Sequence, residues 1–290
     1  MSSITAPSNP SEQLPLPVLS CTQGNGLTWF TDKPLEAACS VRIAFTTRHG
    51  GFSVAPYEGL DLASHVGDDP RAVQANRMAI LDALGLRGCA DALVNPNQVH
   101  GTEVNLAVPG GNRHPDADAV LCLEPLLPVL LCFADCLPAL AVVPGGAFCV
   151  MHAGWRGALG GICGKGVSAL CEHASCSPSQ VNVYIGAHIR ECCYQTSDEI
   201  LAKFVGAYGD ACAFEDRHLS LSEAVRCDLL RAGVDERRIA EVPVCTSCNT
   251  TDFFSYRAEK GVCGRHGVLA CRLVRAESGI SERNLVSCQA

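Results

Sequence analysis

The sequence predicts an α/β fold in a single domain. Short apolar runs alternate with segments of helical periodicity, glycine and proline punctuate the junctions, and nothing after residue 35 reads as a linker or an internal repeat. A hydrophobic fraction of 48% against 18% charged residues over 290 positions is ample for a large core and excludes global disorder.

In chain order, residues 1–35 begin with a Ser/Pro-rich stretch that reads as a flexible tail, and 36–290 as one catalytic domain. "VRIAFTTR" (41–48) is a strand that runs into the loop "HGGFS". "DDPRAVQANRMAILDALGL" is a helix with Asp69 as N-cap, Pro70 at its first position and Gly85 at its end. "ADALVNPNQVHGTEVNLAV" predicts two short strands, and "DADAVL", "PVLLCFADC", "PALAVV" and "AFCVMH" four more. A helix is expected over 158–173, weakened by its glycines. "VNVYIGAHI" is a buried strand. Capping boxes at Thr196–Glu199 and Ser220–Glu223 open two helices, and "RIAEVPV" and "GVLACRLV" supply the last strands.

The formal charge of −8 leaves no basic face to neutralise phosphates, which argues against a nucleic-acid or membrane-surface partner. No apolar run has the length of a membrane span, and the N-terminus lacks the basic start and apolar stretch of a signal peptide. A cytoplasmic location is the expectation. The 19 cysteines are then expected as reduced thiols, most of them core residues such as Cys132, Cys149 and Cys163.

Three loops place a metal-ligand type at the end of a strand: His100 in "NQVHG", Cys136 in "ADC" and His152 in "HAGWRG". Two imidazoles and a thiolate form a good zinc set with a fourth position open, the mark of a catalytic rather than a structural site. The same residues also suit a cysteine nucleophile with a histidine base, and each taken singly has an ordinary structural reading. Arg48, Arg156, Arg190 and Arg257 lie in similar loops; glycine-rich turns beside Arg48 and Arg156 single these two out as anion-binding residues for the substrate. "CTSC" (Cys245, Cys248) is a lone C-x-x-C read as structural. Cys192 and Cys193, on opposite sides of an extended segment, are not expected to chelate. Asp135 reads as an orienting or capping carboxylate.

Eight motifs, "FTTRHGGFS", "NQVHGTEV", "DADAVL", "ADCLPAL", "HAGWRG", "IGAHIRECCY", "CTSCN…FFSYR" and "GRHGVLA", occur in an order that resembles the laccase-domain proteins. These are variously called polyphenol oxidases, peptidoglycan editing factors and zinc-dependent purine nucleoside phosphorylases. The resemblance spans about residues 40 to 275. It implies mixed β-sheets in a layered sandwich with flanking helices, and a zinc ion on His100, Cys136 and His152 as catalytic centre. It also implies phosphorolysis of adenosine, inosine, guanosine and methylthioadenosine, together with adenosine deamination. The substrates so implied are purine nucleosides and phosphate. "CGRHGVLA" departs from the family's last motif, which touches the role of Arg265.

Peptidoglycan precursor editing and copper-dependent polyphenol oxidation are the alternatives that the same resemblance allows. Copper is disfavoured on composition: the nine histidines contain no His-x-His pair and there are three methionines, whereas four coppers need a histidine-rich set. Zinc can acidify a bound water, the chemistry of deaminases, and arginines can hold phosphate against a ribose. Trp155 reads as a core plug rather than a stacking wall.

Overall fold

The computed structural model describes residues 13–274. Its strands and helices follow as β1 (Ser20–Gly24), β2 (Leu27–Thr31), α1 (Lys33–Cys39), β3 (Val41–Thr46), α2 (Pro70–Ala83), β4 (Val104–Ala107), β5 (Ala119–Cys122) and β6 (Val129–Phe133). Next come β7 (Leu137–Val142), β8 (Phe148–Ala153), α3 (Trp155–Leu159), α4 (Ile162–Ala174), β9 (Asn182–Ile185), α5 (Asp198–Tyr208), β10 (Ala213–Phe214) and β11 (His218–Leu219). The remainder is α6 (Leu221–Arg231), β12 (Ile239–Glu241) and β13 (His266–Arg272).

Two sheets form the sandwich. One is antiparallel with order β1-β2-β3-β13-β6; the other is mixed, with order β12-β9-β7-β8-β5-β4 and parallel pairs β12/β9 and β4/β5. Period-two alternation assigns the faces. Val129, Leu131 and Phe133 of β6 and Val268 and Ala270 of β13 face Leu140, Val142, Phe148 and Val150 of the second sheet. The intervening Leu130, Cys132, Leu269 and Cys271 pack under Ile80 and Leu81 of α2. Ala139, Ala141, Cys149 and Met151 face the opposite way, onto Ile162, Val167 and Leu170 of α4 and Val225 and Leu229 of α6. Strands buried on both faces read as continuous apolar runs, which is why the central ones stand out in the sequence. The result is an α/β layered sandwich with flanking helices, as predicted.

Four local readings differ. Of the two strands expected over 90–108 only β4 forms; Arg87–Ala92 is a 3₁₀ turn, and Val94 and Asn97 make isolated bridges. Residues 20–31, expected within the tail, form the hairpin β1–β2. Its turn is Asn25-Gly26, both with positive φ (52° and 76°), the pairing that matches strand twist, and Leu27, Trp29 and Thr31 alternate inward. Residues 1–12 of that segment lie outside the described residues. The single helix expected over 158–173 is two, because Gly161 adopts φ 72° between α3 and α4. The capping box expected at Thr196 shifts by one residue: Ser197 Oγ accepts from Ile200 N at 3.3 Å. Asp69 caps α2 as expected, accepting from Arg71 N at 2.9 Å.

Candidate metal centre

The centre forms at one end of the sandwich, where β6 turns into β7 and β8 ends. On β8, His152 shares the face of Phe148 and Val150, so its ring enters the inter-sheet layer and packs 5.4 Å from Phe133. Cys136 precedes β7, whose Leu137 pairs with Ala153. His100 arrives from the loop before β4 with φ 61°, a left-handed conformation that a histidine adopts only when its surroundings impose it. The three ligand atoms lie within 4.8 Å of one another. Cys136 Sγ is 3.9 Å from His100 Nε2, and the two imidazoles meet edge to face at 4.9 Å.

The sequence reading missed the residue that organises this trio. Asp118, wholly buried one position before β5, accepts backbone N–H bonds from Val99 (3.1 Å), His100 (3.0 Å) and Gly101 (2.7 Å). Its Oδ1 also accepts from His152 Nδ1 at 2.8 Å. One carboxylate thus folds the His100 loop and sets the His152 tautomer, leaving Nε2 as the lone-pair nitrogen for a metal. The available signal was an acidic residue flush against the apolar run of "DADAVL". Gly154 completes the cradle: a Cβ there would stand 2.9 Å from His100 Cδ2 and 3.2 Å from Cys136 Sγ.

Electrostatics agree with ligand chemistry. Burial alone raises a carboxylic acid, but the bonds from His152 and the Gly101 and His100 N–H groups outweigh it, and Asp118 titrates below its usual range. Burial likewise opposes a thiolate at Cys136, yet the neighbouring His152 and His100 pull its pKa down to about 6. His152, disfavoured as a cation by burial, is lifted to about 9 by Cys136 and Asp118, so without an ion both ring nitrogens carry hydrogen and a metal would displace the one on Nε2. The thiolate is the form that binds metal. By contrast burial pushes the core thiols of Cys132 and Cys149 up to about 11 and about 12, as inert packing residues require.

The trio opens on a cavity of about 390 Å³. Its other walls include Tyr194, Tyr256, His65, Gln98, Arg257 and Arg265. Gln98 is held by a reciprocal pair of bonds to the Cys132 backbone (2.8 and 2.9 Å). Asp135, with φ 83°, accepts from Thr246 Oγ1 and Ser255 Oγ (both 2.7 Å) and from Arg257 N (2.6 Å), the loop-capping role expected of it.

The two arginines expected to bind substrate are not among the cavity-lining residues. Arg48 is committed elsewhere: it donates to Thr250 O (2.7 Å), Glu259 (3.1 Å) and Glu58 O (3.1 and 3.3 Å), and stacks 4.3 Å over Phe254. Four of its five N–H groups are thus spent on tying three loops together, so most of the Arg48 guanidinium acts as a brace rather than as an anion site. Arg156 is exposed and lies 4.2 Å over Trp155, which packs against the core as anticipated. Arg265, at the motif that departs from the family pattern, does line the cavity and commits Nη1 to Cys263 O and Gly264 O. The expectation for Cys192 and Cys193 is also corrected: residues 191–193 form a turn, and both thiols approach Cys245 and Cys248.

With this geometry the relatives can be read. The chain is 34% identical over 237 residues to the purine nucleoside phosphorylase YlmD of Geobacillus stearothermophilus, covering 76% of this chain and 86% of that protein. A purine nucleoside phosphorylase of Streptomyces coelicolor is 36% identical over 223 residues, covering 74% and 89%. The crystal structure of the Geobacillus YlmD superposes with a TM-score of 0.76 at 30% identity, covering 88% of this chain and 99% of that one. That of the Bacillus licheniformis hypothetical protein YfiH gives 0.77 at 26%, covering 87% and 97%. The profile described as multi-copper polyphenol oxidoreductase laccase matches residues 42–272. Most of the chain, including every element that builds the candidate metal centre, falls inside that match, and the protein belongs to this laccase-domain family.

Proposed function

We propose that the protein is a zinc-dependent purine nucleoside phosphorylase acting on adenosine, inosine, guanosine and methylthioadenosine, with adenosine deaminase activity. The observation that carries the reading is a His₂Cys set, fixed by a buried carboxylate, whose open side meets a cavity of about 390 Å³. That volume lies in the range of small-molecule pockets. The names of the relatives at 34% and 36% identity support the substrate class.

His100, Cys136 and His152 would hold the ion. Zinc bound there would supply a Lewis acid with one position open to substrate or water. Tyr194 and Tyr256 offer aromatic walls for a planar base, and burial keeps the Tyr194 hydroxyl protonated by raising its pKa to about 12. Arg265 in the wall and exposed Arg156 are assigned to phosphate, with Arg48 as a brace that joins the loops of Glu58, Thr250 and Glu259. The family name points to copper. Four coppers would need several histidine groups, and among the described residues the candidate ligand groups are one His₂Cys and one four-cysteine set.

The test is phosphate-dependent release of purine base from adenosine, followed with metal content. Cys136→Ser is expected to lose ion and turnover together, because a hydroxyl replaces a thiolate poorly on zinc. A variant with full metal content and no turnover, alkylated at Cys136 in the wild type, would instead make the cysteine a nucleophile.

A further inference from the structure

Four of the cysteines outside the centre form a second cluster. Cys192 and Cys193 sit in the turn after β9, and Cys245 and Cys248 in the loop after β12. Their four sulfurs lie within 4.8 Å of one another. Cys193 Sγ is 3.3 Å and Cys192 Sγ 3.6 Å from Cys248 Sγ. A disulfide needs about 2.05 Å. Four sulfurs placed tetrahedrally at about 2.3 Å from zinc stand about 3.8 Å apart. The observed separations therefore fit ligands around an ion far better than they fit a bridge.

Three further features distinguish these thiols from packing cysteines. Cys192 and Cys248 are exposed, so apolar burial gives no reason for them. Cys245 Sγ accepts the Arg190 backbone N–H at 3.4 Å and a second N–H from Cys248, the pattern that stabilises a negatively charged sulfur. The C-x-x-C spacing of Cys245 and Cys248 is that of one half of a structural zinc site, and the 191–193 turn supplies the other half.

We propose that Cys192, Cys193, Cys245 and Cys248 bind a second, structural ion of zinc type. On binding, the four thiols release their protons to solvent and no redox change occurs. Its place in the molecule gives it a task. Tyr194 of the cavity wall follows Cys193 directly, and Arg257 donates to Cys193 O (3.1 Å) and Gln195 O (3.2 Å). Thr246, between the paired cysteines, bonds Asp135. The ion thus staples the two loops that carry one side of the cavity.

The experiment is zinc and cobalt titration of the reduced, chelator-stripped full chain, with metal counted after gel filtration. Wild type is expected to hold two ions per chain, Cys136→Ser one, and the paired exposed replacement Cys192→Ser with Cys248→Ser one. The ion left in Cys136→Ser should give a four-thiolate cobalt spectrum, with its intense charge-transfer absorption. If the His₂Cys reading alone fails, wild type holds one ion and the double serine variant none. Because Cys192 and Cys248 are exposed, the double variant should keep the wild-type circular dichroism. Equal metal content in wild type and double variant would overturn the proposal. So would a metal-free reduced wild type, or a Cys193–Cys248 disulfide that persists in reductant.

Discussion

Replacing Asp118 with asparagine keeps the shape of a buried group and removes its charge. Each carboxylate oxygen has two donors: Oδ1 receives His100 N and His152 Nδ1, and Oδ2 receives Val99 N and Gly101 N. An amide can place its single oxygen on only one of these pairs. If the NH₂ faces Val99 and Gly101, two buried backbone donors lose their acceptor and the His100 loop loosens. If it faces His152, the ring is driven to the tautomer with hydrogen on Nε2, which cannot bind metal. Two lost bonds to a charged acceptor, at about 1.5 kcal/mol each, predict a loss near 3 kcal/mol in the metal-free protein. Loss of a carboxylate behind a ligating histidine predicts a 10–100-fold weaker ion, on the order of 1.4–2.7 kcal/mol. Asp118 titrates below its ordinary range, so its contribution is present above the unfolded pKa and is lost as pH falls through the folded one. The assays are urea unfolding of the metal-free forms and competition for zinc with a calibrated chelator. Zinc affinity within about threefold of wild type would refute the assignment of Asp118 as the group that orients His152.

Gly154→Ala puts a methyl 2.9 Å from His100 Cδ2 and 3.2 Å from Cys136 Sγ, and should weaken metal binding about tenfold or more with little change elsewhere; isothermal titration of both forms decides it. Buried Asp61, raised to about 6 by desolvation with one oxygen unpartnered, favours its protonated form in the fold. Its stabilising share is full below about pH 4, falls as pH rises through 6, and is about 3 kcal/mol smaller at pH 7. The stability difference between Asp61→Asn and wild type should move in the variant's favour over that window, and a difference constant with pH would contradict the burial argument. Arg265→Gln should raise the phosphate KM several-fold, whereas Arg48→Ala should chiefly lower stability, by about 1–3 kcal/mol through its lost bonds. Phosphate-varied kinetics and thermal melts on the same samples separate the two roles.

The α/β class and the order of the buried strands were legible in the sequence because each is short-range physics. A strand buried on both faces is a continuous apolar run, and a helix start is a side chain bonded to its own next turn, as at Asp69 and Ser220. Cys136 and His152 could be singled out for the same reason, each where an apolar run stops, and His100 as a metal-ligand residue type beside a glycine in a loop. That they converge was beyond local pattern. It depends on β7 pairing with β8, on a parallel β4/β5 ladder and on a carboxylate 18 residues from one histidine and 34 from the other. The same limit hid the commitment of Arg48 to Glu259 and the approach of Cys192 and Cys193 to Cys248, contacts between segments 211, 56 and 55 residues apart. Residue type and spacing report what a side chain is able to do; which partner it meets is set by strand pairing and loop closure, and only the folded chain decides that.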